Sequence, residues 1–337
     1  MSRLTNLAAI PVLSAALFLV ACGGGSSAKG GDAADFSASA IEKSQAELQV
    51  QVVSSQVGMG QARLPFGILK PDPKDPNSVM LVNDAVASVT FYQLDGDKGT
   101  AAGEYSLTPI ALRENVNHVH TDGSNHLHDD PLATVYVANL NLGKGDWWGA
   151  DLSIRIGDKE YKDVKVKFFV NAKTSEPGIG DPVPPSKQQT TRDVTNVAAI
   201  DSSDPPRPEL HTMTVAEAVA SGRPSLIAFA TPAFCQTRFC GPVVDSVVVP
   251  LQQEFKDRVN FLHIEPYDLN QARTQGRLVA IPEMETWGLV SEPWIFVLDA
   301  QGKVAAKFEG IMSEEEVKPV IERLLAGQAA PAATAKP

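Results

Sequence analysis

Two cysteines, Cys235 and Cys240, have the residue type and spacing that most directly indicate chemistry in this sequence. Residues five apart on an ideal helix point about 140° apart, so an unstrained disulfide between them requires one cysteine to lie off the helix. Pro242 suits a first helical position, which places Cys240 near a helix N-terminus, where backbone N–H groups favour a thiolate. We therefore predict that Cys240 is the attacking thiol and that Cys235, in the preceding loop, is the resolving thiol. The reverse assignment stays open.

A second group of reactive side chains is a cluster of four histidines within eleven residues. If this segment is a hairpin centred on Gly123, His118 faces His128 and His120 faces His126, and strand alternation puts all four imidazoles on one face. That arrangement predicts a site for Zn, Cu or Ni. The alternative is an exposed, mobile insert that binds metal only adventitiously.

The remaining cysteine, Cys22, follows an apolar stretch from Leu7 to Ala21, which is too short for an ordinary membrane span. Leu19-Val20-Ala21-Cys22 resembles the bacterial lipobox. The resemblance implies a signal peptide over residues 1–21, a lipid on Cys22, and a flexible tether over residues 22–40. The protein is then expected in the cell envelope, outside the cytoplasm and anchored to a bacterial membrane. The alternative is an ordinary signal peptide with an incidental cysteine.

Length and charge limit the remaining possibilities. The chain has 337 residues, enough for two domains, and its 40 acidic against 29 basic residues give a formal charge of −11. This balance argues against nucleic acid as a partner.

Residues 173–207 are rich in proline, which excludes a helix or a central strand and predicts a linker between the domains. Residues 327–337 form an Ala/Pro tail that we predict to be disordered.

Residues 41–172 show the period-two alternation of β-strands, in the segments Val86–Tyr92, Ala133–Leu140, Asp151–Ile156 and Val164–Val170. Gly157-Asp158-Lys159 is suited to a hairpin turn between the last two. This pattern predicts an all-β sandwich that carries the histidine hairpin. The segment is similar to the immunoglobulin-like YtkA/FixH class of periplasmic modules, in part through Trp147-Trp148 before a strand.

Residues 208–326 instead alternate helices and strands, in the order β-α-β followed by β-β-α. The stretch Thr231-Pro-Ala-Phe-Cys235-Gln-Thr-Arg-Phe-Cys240 joins a buried strand to a helix, and Ser291-Glu-Pro293-Trp is similar to a cis-proline segment. In these features the region resembles the thioredoxin superfamily. The resemblance implies an α/β thioredoxin fold, a thiol-disulfide oxidoreductase that needs no cofactor, a protein thiol or disulfide as partner, and a role for Pro293 in shaping the substrate groove.

Two further functions compete with this one. The first is a lipoprotein that binds or delivers a metal, copper or zinc, in which the cysteine pair is a structural disulfide or a second ligand set. The other is a peroxidase, because Thr231 and the cysteine spacing resemble the atypical peroxiredoxins, although Thr231 lies four rather than three residues before Cys235. Two isolated histidines, His211 and His263, are predicted to have no special role.

Overall fold

Strands dominate the first half of the chain in the computed structural model, which describes residues 33–113, 117–119, 125–127 and 131–328. A short helix, α1 (Ala38–Ser44), precedes the long strands, and the Ser37 side chain caps its first turn. The strands described in this half are β1 (Ala34–Asp35), β2 (Gln49–Val52), β3 (Val57–Gly58), β4 (Gly60–Asp72), β5 (Asp75–Leu81), β6 (Ala85–Asp95), β7 (Lys98–Ser106), β8 (Thr108–Arg113), β9 (Asn117–Val119), β10 (Asn125–Leu127), β11 (Pro131–Leu142), β12 (Asp146–Ile156) and β13 (Lys159–Asn171).

These strands form two larger sheets that share one apolar core. The first has the order β1-β7-β6-β12-β13-β3, and the second has the order β2-β4-β11-β8 with β5 paired to β4. Alternate residues point inward, so that Val89 and Phe91 of β6 meet Phe66 of β4, with 6.2 Å between the two phenylalanine ring centroids. All four predicted strand segments lie inside observed strands, and Gly157, at φ 56°, makes the predicted turn between β12 and β13. The immunoglobulin-like character of this part stays a prediction.

Helices and strands alternate in the second half. The elements are α2 (Val215–Ala220), β14 (Ser225–Phe229), α3 (Cys240–Val243), α4 (Val249–Phe255), β15 (Asn260–Ile264), α5 (Leu269–Gln275), α6 (Pro282–Thr286), β16 (Trp294–Leu298), β17 (Val304–Glu309) and α7 (Glu314–Leu325). The sheet order is β15-β14-β16-β17, with β14 and β15 parallel and the other neighbours antiparallel. The succession of elements along the chain, β-α-β followed by β-β-α, is the one predicted and is consistent with a thioredoxin-like part.

Both faces of this four-stranded sheet are covered. Leu226 and Ala228 of β14 face a core built with α3, α4 and α7, whereas Ile227 and Phe229 face a core that includes residues of α2 and α6. The strand is therefore buried along its whole length. A buried strand gives the loop that follows it a rigid starting point.

The two halves share apolar surface through β11. Residues 133–138 of this strand are all buried: Tyr136 and Ala138 belong to the core between the two large sheets, while Val135 and Val137 pack in the core of the cysteine-bearing helix. Arg63 of β4 adds a polar connection, because its Nε lies 2.7 Å from Oε1 of Glu316 in α7. The described residues from Ala34 onward accordingly form one compact unit.

The proline-rich segment, residues 173–207, contains no α-helix and no strand, as predicted; it has turns at 179–180 and 191–193 and one 3₁₀ turn at Val197–Ala199. It nevertheless packs closely on the C-terminal half. Val183 and Ile200 are buried, and the indole Nε1 of Trp287 donates a hydrogen bond of 2.7 Å to Oγ of Ser186. The segment is thus part of the packed structure.

Two helix details differ from the sequence expectation. Pro250 lies within the helix that the sequence predicts from Pro242 to Phe255 and predicts a kink there. The structure has a π-helical turn, Val244–Val248, between α3 and α4, because proline lacks the N–H that a regular helix would use. The spacing of Ser313 and Glu316 predicts a capping box at the start of α7. That prediction is wrong, because the Ser313 side chain makes no capping hydrogen bond and the Glu316 carboxylate binds Arg63. Helices α5 and α6 were not predicted.

Within the described part of the chain, no helix is long and apolar enough to span a membrane. Residues 1–32 and 329–337, which include Cys22 and the predicted tail, lie outside the described residues.

Candidate functional site

The cysteine loop leaves the end of β14 and enters α3. Cys240 is the first residue of α3, and Cys235 lies in the preceding loop, so one cysteine is on the helix and one is off it, as the spacing requires. Arg238, between them, has a φ of 65°, which is uncommon for a residue with a side chain. This turn brings Sγ of Cys235 to 3.3 Å from the backbone N of Cys240, which donates to it.

The two thiols lie in different environments. Cys240 is fully buried and Cys235 is partly exposed, with its Sγ 3.2 Å from the Thr237 hydroxyl. Hydrogen bonding to the Cys240 side chain, aided by Thr237 and opposed by burial, lowers the pKa of the Cys235 thiol to about 5. The neighbouring Cys235 sulfur and burial raise the pKa of Cys240 well above its ordinary range. The contrast favours Cys235 as the thiolate, the reverse of the sequence-based preference.

A carboxylate completes the group. The peptide bond between Glu292 and Pro293 is cis, as the resemblance implies, and one Glu292 oxygen lies within 4.8 Å of both sulfurs. Burial and the Cys235 charge raise the pKa of Glu292, while a 2.9 Å hydrogen bond donated by the Tyr267 hydroxyl opposes the rise. This is an acid with an elevated pKa beside two thiols, an arrangement suited to proton transfer.

Glu292 and Tyr267 were missed in the sequence analysis. Strand β14, directly before the cysteine loop, carries no acidic residue. The available signal was the position of Glu292 directly before the predicted cis-proline. Tyr267 follows β15 by three residues and gave no motif signal.

Comparisons with known proteins add a solved structure to this description. No protein-family model matches the chain, and no curated protein matches it. A thiol:disulfide interchange protein of the thioredoxin family from Chlorobium tepidum TLS is similar over 43% of this chain and 95% of that chain, with 18% sequence identity and a TM-score of 0.27. The thioredoxin-like arrangement therefore rests on the strand order and motif positions of this chain.

The histidine cluster is described only in part. Strands β9 and β10 form a hairpin that pairs His118 with His126, so the predicted pairing of His118 with His128 and of His120 with His126 is wrong. Histidines spaced two apart allow this, because a two-residue slip again brings one histidine opposite another. His120 and His128 lie outside the described residues.

Two sets of side chains among the described residues have ligand atoms close enough to hold a metal ion. One is Cys235, Cys240 and Glu292. The other combines Asp201 with His211 and His263, whose ring centroids are 5.1 Å apart. The two histidines that were predicted to be isolated therefore lie together.

Proposed function

We propose that this protein is a thiol-disulfide oxidoreductase in which Cys235 attacks and Cys240 resolves. The observation that carries the proposal is the contrast between a partly exposed thiol of lowered pKa and a buried thiol of raised pKa, beside an acid that precedes a cis-proline. Thiolate is the nucleophilic form of cysteine, so the accessible sulfur is also the activated one. Pro293 is retained as the residue that shapes the substrate groove.

The reaction proceeds in two exchanges. The Cys235 thiolate attacks one sulfur of a substrate disulfide, that S–S bond breaks, and the other substrate sulfur leaves as a thiolate and takes up a proton. Cys240 then loses its proton and attacks Sγ of Cys235, which releases the first substrate sulfur. The substrate gains two electrons, and the protein loses two as it forms the Cys235–Cys240 disulfide. The same steps in reverse oxidise a dithiol.

Glu292 is the group suited to receive the Cys240 proton. One of its oxygens lies within 4.8 Å of both sulfurs, and its raised pKa makes the carboxylate a stronger base. The Tyr267 hydroxyl donates a hydrogen bond to Oε2 of this carboxylate and holds its orientation. The acid thus acts on the second exchange, in which the buried thiol must ionise.

The proposal places this chemistry outside a bacterial cytoplasm, on a protein held at the membrane by a lipid on Cys22. A protein thiol or disulfide would be the partner. Metabolic labelling with a fatty-acid analogue tests the anchor: a labelled mature protein that loses its label on Cys22→Ser supports it, and an unlabelled mature protein contradicts it.

Trapping tests the roles of the cysteines. A Cys240→Ser variant should accumulate mixed disulfides with its substrates on Cys235, whereas the matched Cys235→Ser variant should not. Trapping only by Cys235→Ser would restore Cys240 as the attacking thiol. A reduction potential of the pair well below about −300 mV would indicate a structural disulfide and contradict the oxidoreductase proposal.

A second candidate function is copper binding by Cys235, Cys240 and Glu292, which the closeness of their ligand atoms favours. Two thiolates suit Cu(I). Stoichiometric copper binding that is lost on Cys235→Ser, together with an inactive cysteine pair in the trapping experiment, would favour this alternative.

A further inference from the structure

The proposed redox chemistry leaves a second group of buried titratable side chains unexplained. Asp201 lies in the proline-rich segment, His211 follows the 3₁₀ turn Pro208–Leu210, and His263 is in β15. Their side chains are exposed by 0%, 2% and 0%, respectively. A carboxylate and two imidazoles so fully removed from water require a reason, because each loses its hydration.

One ligand atom from each of the three side chains lies within 4.8 Å of the other two, close enough to hold one ion. Nε2 of His211 lies 3.2 Å from Oδ2 of Asp201, and Nδ1 of His263 lies 3.6 Å from Oδ1. Tetrahedral ligands at about 2.0–2.2 Å from zinc are separated by about 3.3–3.6 Å. Both ring nitrogens are buried, and neither has a partner in good hydrogen-bond geometry.

Hydrogen bonds around the group determine which atoms are free. The other ring nitrogen of His263, Nε2, lies 2.8 Å from the carbonyl oxygen of Ala230. A carbonyl only accepts, so Nε2 carries a hydrogen, and Nδ1 is the ring nitrogen that faces the carboxylate. A ring nitrogen and a carboxylate oxygen 3.6 Å apart have the separation of two ligands of one cation. Metal-binding histidines commonly donate their second nitrogen to a carbonyl in this way.

The carboxylate is held by the backbone. Oδ1 of Asp201 accepts from the N–H of Ser203 at 2.8 Å, and Oδ2 accepts from the N–H of Arg207 at 2.6 Å. These two bonds fix the orientation of the carboxylate toward the two imidazoles.

We propose that Asp201, His211 and His263 bind a divalent metal ion, with Zn²⁺ the best match to one carboxylate and two imidazoles. The ion joins residues 201–211 to β15.

The site also supports the cysteine loop. The carbonyl that His263 contacts belongs to Ala230, at the start of that loop, and Oγ of Ser202 accepts a 3.0 Å hydrogen bond from the backbone N of Ala233. Both contacts involve residues at or next to the proposed ligands. Metal binding therefore stabilises the backbone from which Cys235 projects.

The test uses a variant of the full chain, the silenced chain, in which the three cysteines and the four clustered histidines cannot bind metal. Its substitutions are Cys22→Ser, Cys235→Ser, Cys240→Ser, His118→Ala, His120→Ala, His126→Ala and His128→Ala. After removal of metal with a chelator, it is titrated with Zn²⁺ by calorimetry and by competition with a chromophoric chelator. We expect one equivalent to bind and the Tm to rise. Binding no tighter than millimolar overturns the proposal.

The ligand variant is Asp201→Asn in the silenced chain, and the matched control is Asp158→Asn at the exposed turn between β12 and β13. Loss of an outer hydrogen-bond partner weakens metal sites by about 10- to 100-fold, so loss of the ligand itself should weaken Zn²⁺ binding by at least about 100-fold. The control should bind as tightly as its parent. Equal affinity of both variants contradicts the assignment.

A second measurement covers the case in which Asp201→Asn does not fold. Co²⁺ is added to the folded silenced chain, and its visible absorption is recorded. The intense bands of a four-coordinate ion, without thiolate charge transfer, support the site. The weak spectrum of hydrated Co²⁺ overturns it. Neither result depends on thiol exchange, so this proposal can fail while the oxidoreductase proposal stands.

Discussion

The sharpest prediction concerns the pH at which Cys235 reacts. With a pKa of about 5, its alkylation by iodoacetamide should rise through a midpoint near pH 5. At that pH half of the thiol is ionised, against about 0.03% of an ordinary thiol of pKa about 8.5. Thiolate nucleophilicity falls with pKa, with a Brønsted coefficient of about 0.4–0.5, so the net advantage at pH 5 is roughly 40-fold. Near pH 7 the two effects nearly cancel, and the midpoint is therefore the quantity to measure.

The assay is a short alkylation pulse on the reduced full chain from pH 4 to pH 9, with each cysteine read separately by peptide mass spectrometry. Cys240→Ala removes the largest cause of the lowered pKa and should move the Cys235 midpoint upward by more than one unit. Thr237→Val should move it upward by less, and Thr100→Val, on the exposed side of β7, should not move it. A Cys235 midpoint above about pH 7.5 would refute the reasoning.

The same pKa has a thermodynamic consequence. A folded-state pKa below the unfolded value stabilises the reduced protein above the unfolded pKa, and this stabilisation is lost as pH falls toward 5. At pH 7 the difference of two units between the pH and the folded-state pKa of about 5 corresponds to a stabilisation of the reduced protein by at most about 2.7 kcal/mol. Solvent screening at a partly exposed sulfur reduces this stabilisation to about 1–2 kcal/mol. Stabilising the reduced form by that amount raises the potential of the disulfide by roughly 20–40 mV.

Three further outcomes are expected. Glu292→Gln should slow release of the mixed disulfide by about 100-fold in single-turnover assays, while formation of that disulfide changes little. Arg63→Ala should cost about 3 kcal/mol in urea unfolding because its ion pair is nearly buried, whereas the exposed control Lys159→Ala should cost less than about 1 kcal/mol. Burial raises the pKa of Asp151 to about 6, so stability should fall as pH rises from about 4 to 6, and Asp151→Asn should be more stable by about 1–2 kcal/mol at pH 7.5 but not at pH 4. Equal stability of Asp151→Asn and its parent at both pH values would contradict that sign.

Local patterns in the sequence predicted most of the elements. Period-two alternation located β6, β11, β12 and β13, and the run of apolar residues before the cysteines located β14. The cis-proline was predicted by its place in a motif. These features depend on neighbouring residues, which is why one sequence was enough to find them.

Features that depend on distant residues were harder to predict. The continuous apolar run in β11 was interpreted as a half-buried strand, although burial on both of its faces is what such a run indicates. Asp201 and His263 are 62 positions apart in the sequence, and only the packing of the proline-rich segment against β15 brings them together. The attacking cysteine was assigned from helix position alone, whereas burial of Cys240 reverses the preference.

The doubly buried strand β11 has a consequence for folding. Its outward residues, Val135 and Val137, share an apolar cluster with Val243 and Val247 of the helical stretch that begins at Cys240. A fragment that begins near residue 208 would expose that cluster to water and should aggregate or remain partly unfolded. Denaturation should accordingly be a single cooperative transition in which the strands of the β-rich half and the helix that begins at Cys240 unfold together. A destabilising substitution in the β-rich half should therefore abolish thiol activity although it lies far from both cysteines.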